Sequence, residues 1–268
     1  MRPNVNHDSP QNMTFIDIFG LSEIVVFLLT LLAFFGGVVK GIVGFALPMI
    51  LLSGLTLVVP AHTALGALIL PTVATNLQQA LSQNPRDLKY SIIRLRVFLI
   101  TGAVFLILGA LVTPFMPLNV FMTVLGASIV LFSLYLLIGF QVTLSPKNTA
   151  AAAGIGSLAG FLGGVSGIWG PPTVAYLTAL NTPKDEQISL QGVIYGLGAA
   201  LLLIGHSISG IFNTAVMPLS ALLVLPAYIG IKIGARVRDH LNQMVFRYAT
   251  LVILLIAGLN LLRRAIFS

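Results

Sequence analysis

The chain contains no cysteine, which excludes disulfides, thiolate metal sites and cysteine-based redox chemistry. Charge is nearly as scarce. Charged residues make up 8% of the 268 positions, against 57% hydrophobic ones. A soluble domain carries about 25% charged residues, so this chain has too little polar surface to cover a soluble core. Acid is the scarcer sign. The seven carboxylates, Asp8, Asp17, Glu23, Asp87, Asp185, Glu186 and Asp239, all fall in tails, loops or segment ends. Membrane-embedded carboxylates of the kind that proton and sodium pumps carry are therefore not evident. The four histidines, His7, His62, His206 and His240, share no helical spacing, so no metal site is expected. Nothing calls for a cofactor either. The basic excess of +7 is spread over loops, which fits an anionic inner leaflet rather than nucleic acid.

What is present is long and apolar. No Asp, Glu, Lys or Arg occurs in 41–85, 97–146, 148–183 or 187–231. Each run exceeds one bilayer crossing of roughly 20 residues, so each holds more than one segment. The apolar stretches are continuous rather than alternating, which selects helices over barrel strands. Ten segments are expected: 21–39, 45–59, 62–82, 94–113, 118–140, 149–165, 171–181, 187–210, 214–234 and 244–264. The polar stretch 1–20 lacks the basic region directly before an apolar core that marks a secretory signal, and it reads as a retained tail. The fold class is therefore an all-α polytopic membrane protein, multi-pass in a cell inner membrane, with eight to ten full crossings.

The second and seventh segments are short, follow Gly-rich stretches, and carry Pro48 or Pro171 and Pro172 near their starts. They read as half-helices in Gly-broken hairpins. The pattern around them recurs. Gly37, Gly41, Ile42 and Gly44 match Gly163, Gly167, Ile168 and Gly170 at an offset of 126 residues, which pairs Lys40 with Ser166. This divides the chain into two repeats of about five segments, 21–140 and 141–268. The loop after the third segment holds Arg86, Lys89, Arg94 and Arg96, while its counterpart at 207–217 holds no charge. The loop at 113–117 is uncharged, while its counterpart holds Arg236 and Arg238. Basic loops stay in the cytoplasm, so equivalent loops face opposite sides and the repeats are inverted, with both termini outside.

Each half runs from a Gly-rich segment into a Pro-bearing short helix, Gly37 to Pro48 and Gly163 to Pro172, and the second continues through Asn181-Thr182-Pro183. Over nearly the whole chain this resembles the TauE/SafE-type sulfite exporter family. The resemblance implies membrane transport, in the direction of export, of small anions such as sulfite, sulfonates or other sulfur-containing oxyanions. The residues support an anion site on their own terms. A helix broken at glycine frees N–H groups at the start of the next half-helix, and these attract anions. Two inverted halves bring two such starts together near the midplane, where alternating-access carriers hold substrate. The expected substrate-binding set is Lys40, Gly41, Gly44, Ser166, Gly167, Trp169, Gly170, Asn76 and Gln191, with no catalytic residue. Each has a plainer reading. The glycines can serve close helix packing, and Ser166 can be a small packing residue. Lys40 can snorkel to the interface, Trp169 can sit in an aromatic belt, and the amides of Asn76 and Gln191 can bond neighbouring helices. The expected partners are a small anion and the lipid bilayer, without nucleic acid; the oligomeric state stays open.

Two rival readings compete. Gly164-Val165-Ser166-Gly167, with His206 40 residues further on, fits an intramembrane serine protease of rhomboid type. A non-transporting membrane subunit is the other, and it gives no reason for Lys40 inside a glycine break.

Overall fold

In the computed structural model the described residues are 21–81, 85–139, 143–240 and 243–267, so the polar tail lies outside them. Among the described residues every regular element is helical. The α-helices are α1 Glu23–Val43, α2 Leu47–Leu55, α3 Ala61–Ala67, α4 Ile69–Leu81, α5 Pro85–Arg94, α6 Arg96–Val112 and α7 Leu118–Ile138. They continue as α8 Thr149–Ser166, α9 Gly170–Ala179, α10 Lys184–Ile208, α11 Met217–Leu222, α12 Val224–Val237 and α13 Gln243–Phe267. Among the described residues six stretches are long and apolar enough to cross a membrane: Glu23–Val43, Arg96–Phe115, Leu118–Ile138, Thr149–Ser166, Ser189–Ile208 and Met217–Val237. Large apolar side chains are exposed on their outer faces, among them Ile24, Phe27, Ile100, Leu131 and Leu158. Water would not tolerate that much apolar surface, whereas lipid does. The chain is a multi-pass membrane protein.

Local chemistry sets the ends of the helices that form the centre. α1 starts where Ser22 accepts a hydrogen bond from the Val25 N–H, and ends at Gly44, φ 85°. α8 starts where Asn148 accepts from the Ala151 N–H, and ends at Gly167, φ 71°. Glycine is the residue that takes this left-handed turn without strain. Each chain then re-enters a short helix with proline in its first turn, Pro48 in α2 and Pro171 in α9. At about 1.5 Å per residue, helices of 9 and 10 residues cover about half a bilayer. α2 folds back along α1, with Gly36 against Leu47 and Ile50, and Gly54 against Leu32.

The two left-handed turns have a spacing different from the 126-residue offset read from the sequence. Gly44 and Gly167 are 123 positions apart, and this spacing also relates Gly37, Gly41, Pro48 and Pro60 to Gly160, Gly164, Pro171 and Pro183. On this spacing Lys40 pairs with Gly163 and Ser166 with Val43, where the 126-residue spacing pairs Lys40 with Ser166. The slip from 126 to 123 is about one helical turn. Glycines spaced three and four apart nearly reproduce themselves after such a shift, so identity alone could not resolve it.

Glycines bring helices from the two parts of the chain together. Gly37 and Gly41 of α1 meet the backbone of α12 at Ala227 and Ile231, while Gly230 and Gly234 of α12 meet α1 at Phe34 and Val38. Gly160 and Gly164 of α8 meet α6 at Gly102 and Leu106 in the same fashion. In both pairs residue numbers rise together, so α1 runs parallel to α12, and α6 to α8. α7 packs on α13, with Gly126 against Gly258. α4 packs on α10 through Gly196 and Ala80. The segment expected to be a plain loop at 83–96 instead contains α5, a ten-residue helix with Tyr90, Ile92 and Ile93 exposed beside Lys89 and Arg94. An amphipathic helix of this composition suits the membrane interface.

Candidate functional site

The tips of the two turns meet. A Cβ on Gly170 would lie 3.3 Å from the Phe45 Cβ. One on Gly44 would lie 3.3 Å from Gln191 Oε1, and one on Gly167 would lie 3.0 Å from a Leu68 methyl. Gln191 and Leu68 are themselves 123 positions apart, the same spacing as the two glycine turns they touch. The first turn also contains Ala46 at φ 82°. A left-handed alanine costs roughly 1–2 kcal/mol, and such strain concentrates at functional backbone.

Between the tips lies a cavity of about 20 Å³, lined by Lys40, Phe45, Ala46, Asn76 and Tyr195, together with Gly167 to Pro171. That volume holds about one water, so an anion must widen it on entry. Lys40 is 4% exposed. Its ammonium donates to Thr75 Oγ1 at 2.9 Å and to Asn76 Oδ1. Thr75 Oγ1 in turn donates to the Pro71 carbonyl at 2.7 Å. Among the described residues no carboxylate pairs with Lys40; the ion pair formed is Arg94 with Glu186, near the start of α10. A buried ammonium held only by neutral acceptors keeps an uncompensated charge. Tyr195 donates its hydroxyl to the Gly170 carbonyl at 3.3 Å.

Of the expected set, Lys40, Asn76, Gly167, Trp169 and Gly170 line this cavity, and Gln191 and Gly44 stand beside it. Gly41 and Ser166 are placed differently. Gly41 faces the α12 backbone at Ile231. Ser166 turns its hydroxyl onto its own helix, donating to the Leu162 carbonyl at 2.5 Å and accepting from the Ile168 N–H at 3.2 Å. Ser166 is the last residue of α8, and a serine there can bond the carbonyl four residues earlier. The sequence reading missed Thr75, Phe45, Ala46 and Tyr195. Tyr195 lies four residues after Gln191, on the same helical face, and that spacing was the available signal.

The protease geometry is not formed. Ser166 and His206 are both buried, but His206 Nδ1 approaches Ser209 Oγ at 3.4 Å, and the Ser166 hydroxyl is taken up by its own backbone. A nucleophile and its base should share a hydrogen bond.

Comparison with known proteins gives one match. The family described as Sulfite exporter TauE/SafE matches residues 29–261, a span that contains every cavity residue. No curated protein and no solved structure matches the chain. The buried, uncompensated Lys40 between two glycine turns of a multi-pass helical protein is in keeping with that match, and the chain belongs to the sulfite exporter TauE/SafE family of membrane transporters.

Proposed function

We propose that the cavity between the hairpin tips is the substrate site of a carrier for small sulfur-containing anions, worked by alternating access. One observation carries this reading. Lys40 is buried with neutral acceptors and without a carboxylate partner among the described residues. A lysine at the centre of a bilayer costs about 2.5–3.5 kcal/mol on insertion scales, and a bound anion supplies the missing opposite charge. Asn76 and the N–H groups at the starts of α2 and α9 complete the coordination.

Two inverted halves, 21–140 and 141–268, account for the packing. α1 leads inward to Gly44, α2 returns, and α3 with α4 runs inward again to the basic stretch carrying Lys89, Arg94 and Arg96. α6 then leads outward and α7 inward, so α8 begins on the side opposite to α1. The parallel pairs α1–α12 and α6–α8 follow from the same two-fold relation, which runs in the membrane plane. Basic residues place α5 and the end of α12, with Arg236 and Arg238, on the inner side, and both termini outside. A membrane potential of 100 mV, negative inside, favours anion export by about 2.3 kcal/mol per charge, so export through this site needs no embedded carboxylate.

The test is a binding screen on purified protein with sulfite, sulfate, thiosulfate, short sulfonates and small carboxylates, followed by flux in proteoliposomes. Binding and flux of at least one sulfur anion, both lost in Lys40→Met, are expected. Absence of binding across the whole screen, or binding indifferent to Lys40, would refute the reading. Flux that depends strictly on a proton gradient at clamped voltage would overturn the potential-driven mechanism.

A further inference from the structure

Trp169 is the single tryptophan of the chain, and two glycines hold it. A Cβ on Gly163 would lie 2.9 Å from Trp169 Cε3, and one on Gly198 would lie 3.1 Å from its Cε2. The nearest neighbours of both positions are Trp169 side-chain atoms. The other close-packed glycines of α8, at 156, 160 and 164, face the α6 backbone instead. Helix packing therefore explains those three, while Gly163 and Gly198 keep open a slot that the indole fills. In the first half the equivalent positions, 123 residues earlier, are Lys40, Thr75 and, for the tryptophan, Ala46. There the slot is crossed by Lys40 reaching Thr75. The same space holds a charged anchor in one half and a flat apolar ring in the other.

The ring is also a partition. It lines the Lys40 cavity, and it lines a second cavity of about 30 Å³ between α6, α8 and α10. Phe98, Leu106, Ile194 and Leu201 form apolar walls of that second space. Its Thr173 hydroxyl is committed to the Trp169 carbonyl at 2.8 Å. Trp169 thus borders both the cavity that holds the anchor for an anionic head and an apolar space suited to an alkyl tail.

We propose that Trp169 sets the upper length of the anion this transporter accepts, by closing the Lys40 cavity off from the apolar space behind it. The inference rests on the reading of the Lys40 cavity as the anion site. With the indole in its slot, a head group carrying little or no tail fits. Without it, slot and second cavity join the site, and a tail attached to the same head can be buried.

The experiment measures Kd by calorimetry for methanesulfonate, butanesulfonate and hexanesulfonate on the parent protein, Trp169→Ala and Trp169→Phe. The readout is the ratio of long-chain to short-chain affinity within each protein, so a general weakening of the site cancels. The parent should bind methanesulfonate best. In Trp169→Ala the order should invert, with affinity gaining up to about fourfold for each methylene that reaches apolar space. Trp169→Phe keeps a smaller ring in the slot and should shift the ratio in the same direction by less; it provides the same comparison if the alanine variant does not fold. Chain-length profiles that coincide in parent and variants, with the parent binding methanesulfonate, overturn this inference alone. If no protein binds any of the three sulfonates, and sulfite is not bound either, the anion site falls and the inference with it.

Discussion

Replacing Lys40 by methionine separates a binding lysine from a structural one, because the two roles predict opposite signs. Methionine keeps an unbranched chain of similar reach and removes the charge. In the resting protein the substitution ends the burial of an uncompensated ammonium, a gain of about 2.5–3.5 kcal/mol on insertion scales. It also removes the donor to Thr75 and Asn76. Thr75 keeps its bond to the Pro71 carbonyl, so the new deficit is the Asn76 carbonyl, at about 1–3 kcal/mol for a buried unsatisfied group. These terms leave Lys40→Met at least as stable as the parent in thermal unfolding. Anion binding should move the other way. Loss of a charge-assisted hydrogen bond costs about 1.5–3 kcal/mol, roughly a tenfold to hundredfold rise in Kd. The thermal assay reads both at once. At an anion concentration 100 times the parent Kd, the parent gains about 2.7 kcal/mol, and the variant should gain little. Lys40→Arg should retain part of the response. A methionine variant that unfolds well below the parent, yet keeps the full anion-induced shift, would show that Lys40 is a packing residue and refute the reasoning.

Ser166→Ala should leave anion affinity within about twofold, because its hydroxyl serves the α8 backbone, and should cost about 0.5–1.5 kcal/mol of stability; a tenfold loss of affinity in calorimetry would return Ser166 to the site. Two glycines of α8 should behave oppositely when changed to alanine. Gly164 abuts the Leu106 carbonyl and Gly154 has open space around it, so Gly164→Ala should fail to give monodisperse protein, while Gly154→Ala should gain up to about 1 kcal/mol. Single cysteines placed at 90 and 240 should label from the cytoplasmic side and one at 209 from outside; labelling of 90 and 240 from opposite faces would break the inverted arrangement. A double-mutant cycle on Arg94→Gln and Glu186→Gln, which joins the two halves at a partly exposed ion pair, should give a coupling of about 1 kcal/mol or less; zero coupling would make the pair incidental.

Composition alone determined that this chain is helical and lives in lipid, because scarce charge and long apolar runs leave the backbone no other way to satisfy its hydrogen bonds. The ten expected segments overlap helices of the structure, but the third and ninth are each two shorter helices, and six stretches among the described residues are long and apolar enough to cross a membrane; Gly44, Pro48, Gly167 and Pro171 mark the two half-helices because they act locally on φ and on backbone donors. Lys40 stood out for the same kind of reason, as a charge in a place where charge is expensive. The register of the two halves was not legible. A ladder of glycines at helical spacing matches itself after one turn, and only the left-handed turns at Gly44 and Gly167 pick one alignment. On that alignment Lys40 pairs with Gly163 rather than with Ser166. Thr75 and the slot between Gly163 and Gly198 were equally hidden, because each is defined by a partner 35 positions away in the chain; Tyr195 shares a helical face with Gln191, but its bond to Gly170 spans 25 positions. Sequence sets what a residue can do, and the contacts made across helices decide which of those capacities this protein uses at its centre.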